Sequence, residues 1–198
     1  MPIQYPELFV IRHGQTEWNL ARRHQGRLDS PLTEKGQQQA RHMGSVLQRV
    51  VGGRTDVAAL SSPQERAFHT AQLSLASLGW PIKQDERLCE VAFGVWEGLT
   101  RDEIDAGWGD QAAYAEQHPV AWNYMSPGGE TLADLQLRTD SFLKDLAGPA
   151  VIFTHGVLSR VLRARWLGLN EYEMLDLPGG QGIIFHLSPR HGHQVIEK

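Results

Sequence analysis

Apolar positions along the chain follow two rhythms. Short apolar runs at Leu8 to Ile11, Ala58 to Ser61 and Ala150 to Thr154 read as strands, and Ile82 to Gln84 is a candidate for a further one. Between them, apolar residues recur every three or four positions. Thr33 is placed to cap a helix carrying Ala40, Met43, Leu47 and Val50 on one face. Ser62 and Pro63 read as the cap and first position of a second helix, with Ala67, Ala71, Ser74 and Leu78 inward. Gly128-Gly129-Glu130-Thr131 opens a third with Leu132, Leu135, Phe142 and Leu146, and Val157, Val161 and Leu162 mark a fourth directly after Thr154. Two short strands, Gly182 to Leu187 and Gln194 to Ile196, close the pattern. Strands alternating with helices predict an α/β protein, a three-layer α/β/α arrangement around a mainly parallel mixed sheet.

Residues 101–128 depart from that rhythm. They are acidic and loop-prone, with Trp108, Tyr114, Trp122 and Tyr124 spread through them. Two readings stand: a cap-like insertion over the sheet edge, or a surface helical excursion whose aromatics pack downward.

A chain of 198 residues fits one large domain spanning residues 1–198, burying about 70% of its unfolded surface, so no second core is needed. The net charge of −4 supplies no global basic field, which argues against a nucleic-acid partner and requires any positive potential to be local. The single cysteine, Cys89, reads as a half-buried spacer in a reducing compartment. Met1 to Pro6 lacks a basic region followed by a long apolar run, and no segment reaches the ~20 apolar residues of a membrane span. These features predict a soluble, cytoplasmic protein without a membrane partner. The histidines and carboxylates show no spacing suited to a metal, and no cofactor is implied. His191 and His193 are expected on solvated loops.

Chemistry enters at the strand ends. Val10-Ile11-Arg12-His13-Gly14 and Ile152-Phe153-Thr154-His155-Gly156 each run from an apolar strand into a histidine followed by glycine. The carboxyl ends of parallel strands are where α/β proteins bind ligands, so His13 and His155 can meet in one pocket. Arg66, in the first turn after the second strand, adds a third convergent cation beside Arg12. Arginine forks hydrogen-bond phosphate oxygens and helix N-termini favour anions, so the implied ligand is a phosphate.

From Arg12-His13-Gly14 onward the chain resembles the histidine phosphatase superfamily, the phosphoglycerate-mutase-like family, over nearly its whole length. The matching segments are the opening motif through Asn19, Gly26 to Thr33, Ser61-Ser62-Pro63-x-x-Arg66-Ala67, Leu88-x-Glu90, Phe93-Gly94-x-Trp96-Glu97-Gly98, Pro127 to Glu130 and Thr154-His155-Gly156. The resemblance implies that His13 takes up the phosphoryl group, that Arg12, Arg66 and His155 cradle its oxygens, and that Asn19 adds a neutral donor. It implies further that Glu90 is the general acid and then base, with Glu97 and Glu17 as rival carboxylates. Gln25, Gly26 and Gly156 join the expected substrate-binding set.

Three functions compete: a phosphatase acting on small phosphorylated metabolites, a phosphoglycerate mutase, and a non-catalytic phosphate-binding module. The intact set Arg12, His13, Arg66, Glu90 and His155 disfavours the module. Mutases are expected to be longer between Glu90 and Thr154, and the segment from Asp85 to Glu97 resembles the broad-specificity, α-ribazole-type phosphatase branch.

Overall fold

The computed structural model describes residues 5–197; Met1 to Gln4, part of the segment read for a leader, lie outside them. Six strands form one sheet: β1 (Leu8–Arg12), β2 (Ala58–Ser61), β3 (Ile82–Gln84), β4 (Ala150–Thr154), β5 (Ile184–Ser188) and β6 (Gly192–Ile196). Their spatial order is β3-β2-β4-β1-β5-β6; the first four are parallel, β5 runs antiparallel to β1, and β6 antiparallel to β5.

Side chains on a strand alternate between faces, and β1 and β4 bury both. Leu8, Val10 and Ile152 join one core with Leu135, Phe142 and Leu158, whereas Phe9, Ile11 and Phe153 join another with Met43, Leu47 and Ala71. Helices therefore cover each face, as the alternation of elements predicts. The chain order of the helices is α1 (Glu17–Leu20), α2 (Glu34–Val51), α3 (Glu65–Leu75), α4 (Arg101–Gly107), α5 (Gly109–Gln117), α6 (Leu132–Lys144) and α7 (Gly156–Leu167). Helices α2 and α3 pack on the second core, α6 and α7 on the first.

Several boundaries differ from the sequence expectation. Thr33 caps α2, accepting the Gly36 N–H, but Val50 is exposed and Val46 and Val51 take the inward positions. Helix α3 begins at Glu65 rather than Pro63: Ser62 Oγ accepts the Gln64 N–H and also meets His155, and Gln64 keeps an extended backbone (ψ 132°) that delays the first helical turn. Leu78 and Leu146 fall beyond the ends of α3 and α6. Residues 101–128 are substantially helical, with Thr100 and Glu103 forming a reciprocal cap at the start of α4. Strand β5 starts at Ile184 because Gly182 holds a positive φ of 75°. Cys89 is buried rather than half-buried. His193 lies within β6, stacked on Phe185, while His191 is exposed as expected.

Register sets the functional strand ends side by side. Arg12 pairs with Thr154 and Ser61 with Phe153. The ladder continues one step further, with the His13 N–H donating to the Thr154 carbonyl and the Ser62 N–H to the Phe153 carbonyl, both at 2.9 Å. Beyond β1 the chain must pass close to α2. A Cβ on Gly14 would overlap the Gly36 carbonyl, and one on Gly36 would overlap the Gln15 carbonyl, so this crossing admits only glycine at both positions.

Candidate active site

At the carboxyl ends of β1, β2 and β4 lies a cavity of about 390 Å³ lined by Arg12, His13, Asn19, Gln25, Gly26, Arg66, Glu90 and Gly156, among others. His13 sits in its floor, 2% exposed. The His13 Nδ1 is 2.8 Å from the Gly14 carbonyl oxygen, and a carbonyl only accepts, so Nδ1 carries the proton and Nε2 keeps its lone pair. Burial, reinforced by the charges of Arg12 and Arg66, holds the ring well below the ordinary histidine range and therefore neutral.

His155 is fully buried, its ring 5.3 Å from that of His13, and it does not itself line the cavity. Its Nε2 lies 2.8 Å from Ser62 Oγ, while Nδ1 is buried without a partner. Burial and then Arg66 hold this ring, too, well below the usual range.

The two arginines are anchored differently. Arg66 projects from the first turn of α3 and pairs with Asp29, not with Glu65 or Glu86: Nη1 donates to Asp29 Oδ1 at 2.6 Å and to the Leu28 carbonyl, and Nη2 to the Gly26 carbonyl at 2.8 Å. Its Nε is left buried and unpartnered. Arg12 Nε is likewise orphaned, and its guanidinium lies against Gly156, where a Cβ would come within 3.2 Å of Cζ. Burial pushes the Arg12 guanidinium down from its usual range, and Glu90 opposes that shift. Buried donors without partners are rare in native proteins, and here two such guanidinium donors belong to residues that line one cavity with a neutral imidazole, a chemistry suited to an anion's oxygens.

Asn19 does two jobs. Its backbone N–H and side-chain oxygen close a reciprocal cap with Thr16 around α1, and the same oxygen accepts from Gln181 at 2.9 Å. With the oxygen committed, the amide presents its N–H₂ end. Gln25 donates to Thr16 Oγ1 and leaves Oε1 buried without a partner. Gly26, at φ 54°, turns its carbonyl onto Arg66 and Gln64.

The carboxylates separate clearly. Glu90 lines the cavity at the N-terminus of α7, where Oε1 accepts from the Val91 and Leu158 N–H groups and Oε2 from Val157. Glu97 lies outside the cavity lining and ties two loops, accepting from the Arg27 and Phe93 N–H groups. Glu17 is exposed.

The family model of the histidine phosphatase superfamily (branch 1) matches residues 8–198. The chain belongs to that superfamily. It is 34% identical over 194 residues to a glucosyl-3-phosphoglycerate phosphatase of Mycolicibacterium vanbaalenii, covering 88% of this chain and 80% of that protein. It is 35% identical over 193 residues to a 2,3-bisphosphoglycerate-dependent phosphoglycerate mutase of Nitrobacter winogradskyi, covering 91% of each. Among solved structures it superposes on a putative α-ribazole-5′-P phosphatase of Escherichia coli with a TM-score of 0.82, 24% identity, and coverage of 98% of this chain and 97% of the other, a likeness of fold. The expectation that mutases are longer fails here, since the Nitrobacter mutase aligns across 91% of both chains.

Several residues of this histidine phosphatase site escape motif reading. Gln64 bridges the Gly26 carbonyl and the Glu90 N–H, locking two walls together. Gln181, from a distant loop, donates to the His13 carbonyl as well as to Asn19. Arg138 pairs with Glu130 and donates to the Glu90 carbonyl, which explains what the Pro127 to Glu130 motif supports. From residues 101–128, Val120, Asn123 and Tyr124 reach the cavity wall, and burial raises the Tyr124 hydroxyl, with Glu90 adding to the shift. Trp108 and Trp122 pack down on the fully buried Trp96, whereas Tyr114 is exposed. His24 also faces the cavity, edge-on to Phe93 and Trp122.

Proposed function

We propose that this protein is a phosphomonoesterase that hydrolyses small phosphorylated metabolites through a phosphohistidine at His13. The observation that carries the reading is the neutral His13, its Nε2 lone pair uncommitted, in one cavity with Arg12 and Arg66, whose Nε donors are unpartnered. In the first step Nε2 bonds to phosphorus as the bond to the leaving oxygen breaks, and Glu90 delivers a proton to that oxygen. Three backbone N–H groups fill three of the four lone-pair sites of Glu90 and leave one on Oε2 for this proton. In the second step water attacks phosphorus, its proton goes to Glu90, and His13 and phosphate separate. Arg12, Arg66, Asn19 and the Nδ1–H of His155 meet the charge that spreads over the oxygens.

Metal independence belongs to the same proposal, because arginines supply the charge a metal would bring; among the described residues no three His, Cys, Asp or Glu gather into a metal-binding group. The lone buried thiol of Cys89 fits a cytoplasmic setting, and no described helix is long and apolar enough to cross a membrane. We read residues 101–128 as a cap, supported by Val120, Asn123 and Tyr124 on the cavity wall, within one domain spanning residues 1–198.

A mutase is the second reading, favoured by the 35% identity to the Nitrobacter protein. One experiment separates the two and tests the nucleophile. Phosphomonoesters carrying labelled phosphate are offered with and without a hydroxyl acceptor, and quenched enzyme is mapped for acid-labile label. Hydrolysis predicts label on His13 and free phosphate whatever the acceptor, with His13→Ala inactive. Label recovered mainly on the acceptor makes the protein a mutase, and label on another residue overturns the mechanism.

A further inference from the structure

Gln64 joins two walls of the site without itself lining the cavity. It is the buried residue that precedes α3, and its side chain does not cap that helix. Instead the amide reaches in two other directions: Nε2 donates to the Gly26 carbonyl at 2.8 Å, and Oε1 accepts the Glu90 N–H at 2.7 Å. A peptide N–H only donates and a carbonyl only accepts, so the amide has a single orientation.

Each end of the bridge meets a different part of the chemistry. At one end the Gly26 carbonyl takes two donors, Gln64 Nε2 and Arg66 Nη2, each at 2.8 Å, so one turn braces both Gln64 and an arginine of the anion site. At the other end is the general acid. The carboxylate of Glu90 is held by the N–H groups of Val91, Val157 and Leu158, but its peptide is held separately: by Gln64 on the N–H, and on the carbonyl by Arg138 Nη2 at 3.2 Å. The Gln64 bond is the shorter of the two. Without Oε1 the Glu90 N–H loses its acceptor in a buried residue, and a buried donor is costly to leave unmet. The peptide then turns to find a partner, and the carboxylate is carried away from the α7 N–H groups.

We propose that Gln64 is a positioning residue for Glu90: its amide couples the peptide that carries the general acid to the Gly26 turn that seats Arg66, and so keeps proton delivery in register with the phosphate cradle. The inference rests on the reading of Glu90 as acid and base on a phosphohistidine pathway. A misplacement on the order of 1 Å costs a reacting group up to ~10²-fold.

The test uses Gln64→Met, which keeps the volume and removes both bonds, beside Glu90→Gln and the double variant, with one alkyl and one aryl phosphate as substrates. Gln64→Met should lose ~10–100-fold in kcat/KM on the alkyl ester and less than about three-fold on the aryl ester. It should also hold more acid-labile label during turnover of the aryl ester, because the water step depends on the same carboxylate. In the double variant the Gln64 change should add less than about three-fold to the loss from Glu90→Gln. Equal losses on both esters, or a full additional loss in the double variant, would show that Gln64 only supports the fold. Gln64→Glu gives a second readout should Gln64→Met not fold. Its carboxyl, when neutral, can accept from Glu90 and donate to Gly26 as the amide does, so its alkyl-ester activity relative to wild type should climb between about pH 8 and about pH 5. A ratio flat in pH overturns the inference. Failure of the underlying reading looks different: Glu90→Gln itself would then lack leaving-group dependence, whereas dependence in Glu90→Gln and none in Gln64→Met rejects the role of Gln64 alone.

Discussion

Ser62 Oγ lies 2.8 Å from His155 Nε2 and within hydrogen-bond distance of Cys89 Sγ, at 3.7 Å. The hydroxyl has one hydrogen to give. Given to His155, it fixes the imidazole with its own proton on Nδ1, the donor-bearing form an anion requires. Given to Cys89, it leaves Nδ1 as a lone pair. Ser62 is thus a positioning residue that sets the tautomer of a buried ring.

Replacing Ser62 with Ala should therefore weaken phosphate binding and turnover by ~10-fold or more, the cost of freeing a buried polar atom. Ser62→Thr should restore most of it. Nitrogen chemical shifts of His155 provide the readout a purely structural role would not move: the wild type should show a protonated Nδ1, and Ser62→Ala a mixed population. An unchanged tautomer in an active Ser62→Ala enzyme would show that the hydroxyl does not choose.

The placement of the two carboxylates predicts opposite phenotypes. Glu90→Gln should slow alkyl phosphates by ~10²–10⁴-fold and spare aryl phosphates with good leaving groups, where phosphoryl transfer limits the rate. Glu97→Gln keeps an acceptor oxygen for the N–H groups of Arg27 and Phe93 but removes its charge, and should lower thermal stability slightly without dependence on the leaving group. A leaving-group-dependent loss in Glu97→Gln alone would reverse the assignment.

Both buried histidines carry a pH signature. Their folded-state ionisation is depressed, so the unfolded chain binds more protons than the folded one just below pH 6.5. The stability they contribute is present above the ordinary histidine range and is lost as pH falls through it. Melting temperatures between pH 7.5 and 5 should decline for the wild type and less steeply for His13→Gln. The acidic limb of kcat/KM should fall well below pH 6.5, since His13 stays neutral there; a limb at 6.5 that disappears in no other variant would contradict the buried, neutral nucleophile.

Exhaustive dialysis against a chelator should leave activity intact. Loss of turnover that only a divalent ion restores would replace the arginine-based mechanism with metal-assisted hydrolysis.

The strand ends were legible because an apolar run ending in His-Gly is a local pattern, and the ladder between β1 and β4 converts two local patterns into one site. Arg66 was legible for a similar reason, following its strand within one helical turn. Its partner Asp29 was not, because the pairing closes across 37 positions. Gln181 and Arg160 carry no motif at all; only the fold brings them to His13 and the cavity. The start of α3 misled because Ser-Pro is a common helix opening, whereas here Ser62 is bound to His155. Helix α4 had a readable mark in Thr100-x-x-Glu103, masked by the acidic, aromatic composition around it.

The neighbouring positions of β1 and β4 separate two kinds of change. The spacing of His13 and His155 is fixed by adjacent rungs of one hydrogen-bond ladder, buried under both cores, with no loop between them. Val120, Asn123 and Tyr124 approach the same cavity from residues 101–128, which contribute no strand to the sheet. Rewriting Val120, Asn123 and Tyr124 would therefore reshape one wall of the cavity while the distance between the two imidazoles stays put, so a graft on that wall leaves the reacting floor in register.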